Sequence, residues 1–331
     1  MLKNTAFSLL ELASVREHDS INETLQNSLR YAQAAEALGF NRFWLAEHHN
    51  MEGIASSATA VLIGYIAGGT KTLRVGSGGI MLPNHPPLVI AEQFGTLASL
   101  YPDRIDLGLG RAPGTDGITS RALRRDDLRA DNFPTEVSLL QQLLEPLSQG
   151  QRLKAIPGAG TNVPIWLLGS SLFSAELAAQ RGLPYAFAGH FAPRLMREAI
   201  RIYRTQFQPS AVLDRPYTML GLPAIVADTE EEAVFLATTS HQRILALLRG
   251  QPLWLKPPVE SMEGLWNFEE QLHVKDFLAL AAVGNPEQVK QKLERLAAEL
   301  EIDELMFTID LYDPHKRIHA LELLAKIKNA G

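Results

Sequence analysis

No cysteine occurs among the 331 residues, so disulfides, thiolate nucleophiles and cysteine-bound metal clusters are excluded. A basic excess is missing too. Lys and Arg number 31 against 37 Asp and Glu, a formal charge of −6, so no basic stripe is available to neutralise a polyanion. Long apolar runs are scarce: the uncharged stretch Gly53–Thr70 is interrupted by Ser56, Ser57, Thr59, Gly64, Gly68 and Gly69. It barely reaches spanning length and reads as a buried helix. Ala6–Leu10 already reads as a strand and lacks the basic flank and cleavage site of a secretory signal, so a cytoplasmic location is expected. Several short signatures are also absent, among them a GK[ST] phosphate loop, HExxH and GxSxG. Gly108-Leu109-Gly110 begins like a dinucleotide fingerprint, but Arg-Ala-Pro-Gly follows where that fingerprint needs a helix.

What is present is alternation. Apolar runs of strand length fall at Ala6–Leu10, Arg42–Ala46, Leu73–Ile80, Ile105–Gly110, Pro164–Leu168, Tyr185–Ala188, Met219–Val226 and Leu305–Ile309. Helical spacing fills the gaps at Glu23–Leu38, Ser56–Gly68, Leu88–Leu100, Thr135–Leu147, Ser174–Arg181, Arg194–Phe207, Glu230–Arg249 and His315–Ile327. Gly39, Gly150 and Gly182 are placed to close helices. Eight alternations predict an α/β fold, a (β/α)8 TIM barrel, rather than an open doubly wound sheet. No linker divides the chain, and residues 1–331 are expected to form one domain with insertions after strands four and seven. The first, Ala112–Asn132, is polar and carries Arg121, Arg124 and Arg125. The second, Gly250–Glu301, holds Trp254, Pro257, Pro258, Trp266, Phe268 and a helix near Glu287–Leu300; it reads as a lid or as a packed decoration. The helices at 56–68 and 88–100 show almost no charge, with Glu92 the exception, so they are expected to meet a second copy in a homodimer unless an insertion covers them.

The chemistry-bearing residues gather at predicted strand ends, where parallel α/β folds place their sites. Glu47-His48-His49 follows the second strand. Adjacent side chains of an extended chain point to opposite sides, so the two histidines should not share one metal, and no metal site is expected. Gly78 and Gly79 lie inside the third strand, either a tight packing spot or a place where another surface comes close. Arg111 ends the fourth strand and pairs either with Asp106 or Asp116, or with a bound anion. The fifth strand ends in Gly169-Ser170-Ser171, and a helix opens through Ser174. Serines there act as N-caps, or cradle a phosphate together with free backbone N–H groups. His190 and Asp310 are further pocket candidates.

The strand Leu73–Ile80, Pro83-x-x-x-Pro87, the following helix and Asp103-Arg104-Ile105-Asp106-Leu107-Gly108-Leu109-Gly110-Arg111 resemble the bacterial luciferase-like family of flavin-dependent monooxygenases. The likeness extends over nearly the whole chain, through Glu176–Leu183, Val283–Glu287 and Asp303–Leu305, which read as structural segments. The resemblance implies reduced FMN and O2 as co-substrates, a small organic substrate, and a separate flavin reductase. It implies His48 as acid/base with Glu47 in the site, and a cis Gly78–Gly79 peptide under the isoalloxazine ring. Arg111 would contact the flavin phosphate, with Gly169, Ser170, Ser171 and Ser174 around it. Gly110 stands where luminous members carry cysteine, which argues against light emission. Two other readings remain open: hydride transfer with a deazaflavin, and flavin binding without catalysis.

Overall fold

The computed structural model describes residues 2–112, 115–123 and 131–330, so Arg124 and Arg125 of the first insertion lie outside the described residues. The strands are β1 (Ala6–Glu11), β2 (Arg42–Leu45), β3 (Arg74–Met81), β4 (Ile105–Gly110), β5 (Ile165–Gly169), β6 (Tyr185–Phe187), β7 (Thr218–Val226), β8 (Ala282–Gly284) and β9 (Glu304–Thr308). The helices are α1 (Ile21–Ala37), α2 (Thr59–Gly68), α3 (Pro87–Leu100), α4 (Gly117–Ala122), α5 (Phe133–Leu144) and α6 (Leu172–Arg181). They continue with α7 (Met196–Gln206), α8 (Glu230–Leu248), α9 (Phe268–Phe277), α10 (Pro286–Leu300) and α11 (Pro314–Ala330).

Every strand pairing is parallel, and the ring β1-β2-β3-β4-β5-β6-β7-β9 closes on itself: the expected (β/α)8 barrel. Strands with helices outside and side chains inside are buried on both faces, which is why they read as unbroken apolar runs. Residues of β4 and β7 are buried throughout. Local chemistry agrees with the chain path. Ser20 and Glu23 form a capping box at the start of α1, and Gly39 (φ +75°) and Gly182 (φ +59°) turn the chain beyond α1 and α6.

The amino end of the barrel is closed by charge. Arg42 lies 2.7 Å from Asp106 and 2.9 Å from Glu304, and Arg74 reaches Asp106 as well. Trp44 Nε1 donates to Asp106 at 3.2 Å, and the Arg42 guanidinium stacks 4.7 Å from the Trp166 ring. Burial alone would lower the Arg42 pKa, but Asp106 and Glu304 outweigh it and raise it. Above this layer Leu10, Trp44, Ala46, Trp166, Ala186, Met219 and Met306 fill the barrel interior.

Several boundaries differ from the sequence reading. α5 stops at Leu144 rather than Leu147, because Pro146 forces Glu145 into an extended conformation (ψ 164°). Gly150 (φ +80°) therefore turns a loop and closes no helix. α2 begins at Thr59, whose hydroxyl donates to the Ala46 carbonyl, so Ser56–Ala58 stay outside it. The second insertion leads into β8, which extends the carboxyl half of β7 with Ala282 opposite Ala224, and into α10. Among the described residues, no helix is long and apolar enough to cross a membrane.

Candidate functional site

At the carboxyl ends of the strands lies a cavity of about 470 Å³, within the range of small-molecule sites. Its walls are mostly apolar, and each of the eight strands of the closed ring contributes.

β3 supplies the floor. The Gly78–Gly79 peptide is cis, as the family resemblance implies. Neither residue has room for a side chain: a Cβ on Gly78 would stand 2.6 Å from Leu10 Cδ1, and one on Gly79 only 2.1 Å from Leu168 Cδ1. The β3–β4 register slips between Ser77 and Ile80. Ser77 repairs the ladder there, its hydroxyl donating to Gly108 O at 2.8 Å and accepting from Gly108 N at 3.0 Å. The tight-packing reading and the open-surface reading both hold, since the backs of these glycines are packed while the residues line the cavity.

At the β4–β5 side an arginine and a helix amino end come together in a corner suited to an anion. Arg111 pairs with neither aspartate named for it. Asp106 belongs to the amino-end network, and Asp116 caps α4 and accepts from Asn50. Instead the Arg111 guanidinium lies 4.1 Å over the ring of Phe173, on the first turn of α6. Ser171 occupies the N-cap position of α6, yet its side chain makes no capping hydrogen bond. The hydroxyl is thus not spent on the helix. Ser174 is buried and donates to Ser171 O at 3.0 Å, and Gly169 lets that turn approach, since a Cβ there would meet Ser174 Oγ at 2.3 Å. Arg111, Gly169, Ser170, Ser171 and Ser174 all line the cavity. The amino-terminal N–H groups of a helix and the positive end of its dipole favour an anion at such a place. The corner uses strands four and five, not the last two strands that barrels commonly use.

The Glu47-His48-His49 segment separates as strand alternation predicts. His48 lines the cavity. Glu47 does not: its buried carboxylate accepts from His49 Nε2 and His85 Nε2, each at 2.8 Å, and from Met81 N at 3.0 Å. Burial alone would raise its pKa, but these donors outweigh burial and bring it down to about 2. Glu47, His49 and His85 gather their ligand atoms within 4.8 Å of one another, the one group of metal-ligand types so spaced among the described residues. Both imidazoles share one carboxylate oxygen, so hydrogen bonding accounts for the cluster.

The far side of the mouth holds groups the sequence only partly announced. His190 lines the cavity, and burial, aided by His48 and opposed by Asp310, lowers its pKa to about 4, so it is neutral at physiological pH. Asp310 lies 2.7 Å from Arg243, a cavity-lining residue of α8 that sequence reading missed. A signal existed: Leu236, Ser240, Arg243 and Leu247 recur at helical spacing, putting a charge on the helix's inward face. The second insertion adds Leu253, Phe277 and Leu278 to the wall.

Fold and site together define a (β/α)8 barrel with an apolar mouth, a glycine floor and a corner suited to an anion. The chain belongs to the luciferase-like monooxygenase family, whose model matches residues 5–304. It is 52% identical to YvbT of Bacillus subtilis (strain 168), covering 98% of this chain and 97% of that protein. It is 49% identical to a luciferase-like monooxygenase of Escherichia coli (strain K12), covering 98% of each. Among solved structures, apo-MsnO8 superposes with a TM-score of 0.86 at 32% identity over 99% of both chains. More distant structures share the fold: the oxygenating constituent of 3,6-diketocamphane monooxygenase in complex with FMN (TM-score 0.73, 18% identity, 98% and 97% covered) and an F420-dependent secondary alcohol dehydrogenase (0.70, 15%, 98% of each).

Proposed function

We propose that the protein is a flavin-dependent monooxygenase that takes reduced FMN and O2 and oxygenates a small organic substrate, with a separate reductase delivering the flavin. The observation that carries the reading is the anion corner facing the glycine floor. Arg111 sits against the amino end of α6 beside a serine hydroxyl that caps nothing. The residues fit FMN: a phosphate for the corner, and a flat ring for a floor where any Cβ would collide. When bound, the reduced flavin supplies the two electrons by which one oxygen atom enters the substrate and the other leaves as water.

The chain's own residues supply the surroundings. Arg111, the α6 N–H groups and Ser171 would hold the phosphate, with Ser174 and Gly169 shaping the turn. The apolar wall excludes water. His48 presents its imidazole to the cavity and would hold or move the proton, while Glu47, outside the cavity, fixes the His48 segment by tying His49 to the Met81 backbone. His190 stays neutral and adds a polar edge without a charge.

A homodimer belongs to the same reading. Val61 and Tyr65 on α2 and Val89 and Leu100 on α3 are exposed, Val61 by 72%, and among the described residues no insertion covers these four. A monomeric mass at micromolar concentration would remove it.

Anaerobic titration with reduced and oxidised FMN, followed by O2 uptake with a flavin reductase and candidate substrates, tests the activity. Oxygen-independent turnover with a deazaflavin would replace the reading by hydride transfer. Saturable FMN binding with no oxygen consumption beyond the reductase's own would leave a flavin-binding barrel.

A further inference from the structure

Four carboxylates among the described residues are almost wholly buried: Glu11 and Glu47 are each 1% exposed, Asp106 and Glu304 0%. Buried charges in proteins are paired or coordinate metals. Glu11 pairs with Arg317, Asp106 with Arg42 and Arg74, and Glu304 with Arg42. Glu47 differs. Among the described residues it has no arginine or lysine against it, and its ion-pair partners are His49 and His85, which carry charge only when protonated. Hydrogen bonds hold its oxygens, but they supply no fixed counter-charge.

The surroundings suit a cation. An ion about 2.1 Å from each of three ligand atoms, at angles of about 90°, spaces those atoms about 3 Å apart. Both Nε2 atoms lie 2.8 Å from Glu47 Oε1, so two edges of such a set already have nearly that length. All three ligand atoms fall within 4.8 Å of one another. A neutral imidazole with its proton on Nδ1 presents the Nε2 lone pair to an ion in place of the N–H it otherwise donates. The second carboxylate oxygen accepts from Met81 N at 3.0 Å, the kind of support that orients a metal ligand. The side chains of His49 and His85 are 17% and 27% exposed, which leaves an approach from solvent and room for water in the coordination sphere. His48 stays out of the set: it lines the cavity, whereas Glu47, His49 and His85 do not.

Ligand chemistry selects the ion. Two imidazole nitrogens and a carboxylate, in a chain without thiolates, suit Zn²⁺, Ni²⁺ or Co²⁺, while Mg²⁺ and Ca²⁺ take oxygen donors. We propose that Glu47, His49 and His85 form a binding site for one divalent transition-metal ion, which clips the carboxyl end of β2 to the segment between β3 and α3. The inference stands apart from the flavin reading, since the ion lies beside the cavity and its binding needs no FMN.

The test is calorimetric titration of the full chain, freed of metal by a chelator, with Zn²⁺ and with Mg²⁺. Zn²⁺ should bind saturably at one ion per chain, and Mg²⁺ should not. His49→Gln and His85→Gln should each weaken Zn²⁺ binding by at least about 10- to 100-fold, the cost of losing merely a ligand's supporting hydrogen bond. His319→Gln, which alters a histidine paired with Asp228 and Glu322 on another face, should leave the affinity unchanged. If the first two variants fail to fold, X-ray absorption of Zn²⁺-loaded wild type decides the matter, and should show two imidazole nitrogens bound to zinc. Fewer imidazoles, unchanged affinity in folded His49→Gln and His85→Gln, or loss of binding in His319→Gln would overturn the proposal. So would the absence of saturable Zn²⁺ binding to wild type, which would leave an imidazolium as the counter-charge of Glu47.

Discussion

Replacing Glu47 by Gln probes how the site is held. The substitution keeps the shape but exchanges an acceptor oxygen for an NH2 group. That group would face either the Met81 N–H, now 3.0 Å from Oε2, or the two imidazole Nε2 atoms, each 2.8 Å from Oε1. The carboxylate's pKa falls from an ordinary 4.5 to about 2 in the folded chain. A depressed pKa means that the unfolded chain takes up the proton first. Its stabilisation is therefore complete well above pH 4.5 and is lost as pH falls toward 2. The full contribution is about 3 kcal/mol at 1.36 kcal/mol per unit, of which somewhat under half is gone by roughly pH 3.5. Urea unfolding at a series of pH values should give curves for wild type and Glu47→Gln that converge on acidification. Flavin affinity should change little while turnover drops, because His48 loses its support and the anion corner does not. Parallel stability curves down to about pH 3 would refute the linkage argument.

Other substitutions separate the remaining parts. Arg111→Ala should weaken FMN binding by about 10- to 100-fold, the worth of a charge-assisted hydrogen bond, while riboflavin, which lacks the phosphate, should bind variant and wild type alike. His48→Ala should leave FMN affinity unchanged and lower turnover by about 10²- to 10⁴-fold; unchanged turnover would remove its proton-handling role. Arg42→Met strips the cation from Asp106 and Glu304 and should cost about 3–5 kcal/mol in denaturant unfolding, with far less effect if Asp106 is neutralised too. Val61→Glu should shift the sedimentation mass toward monomer without changing the circular dichroism spectrum.

The eight barrel strands were legible because burial on both faces writes them as continuous apolar runs, as in Ile105–Gly110. β8 was not, since a three-residue strand has no period to detect. α9 was missed for a related reason: of its ten residues only Val274 is buried, so no apolar stripe marks it. At the site, alternation along an extended chain correctly separated His48 from His49. The same alternation puts Glu47 on the side of His49, away from the cavity; the family resemblance had placed it in the site, and its partners His85 and Met81, far along the chain, gave no local signal. Arg243 stayed hidden because its partners Ser14 and Asp310 come from opposite ends of the sequence.

The second insertion is fastened to the mouth by its main chain. Leu253 N donates to Glu52 O at 2.8 Å, Leu255 N to Val15 O at 2.9 Å, and Glu17 N to Leu255 O at 2.8 Å. Bonds of that kind are indifferent to what hangs from the α-carbon. The side chain of Leu253, which faces the cavity, is therefore at liberty to be exchanged while the panel that carries it stays riveted in place. Such a barrel can be retailored to new molecules at this panel, one residue at a time, with its foundations at the other end of the strands undisturbed.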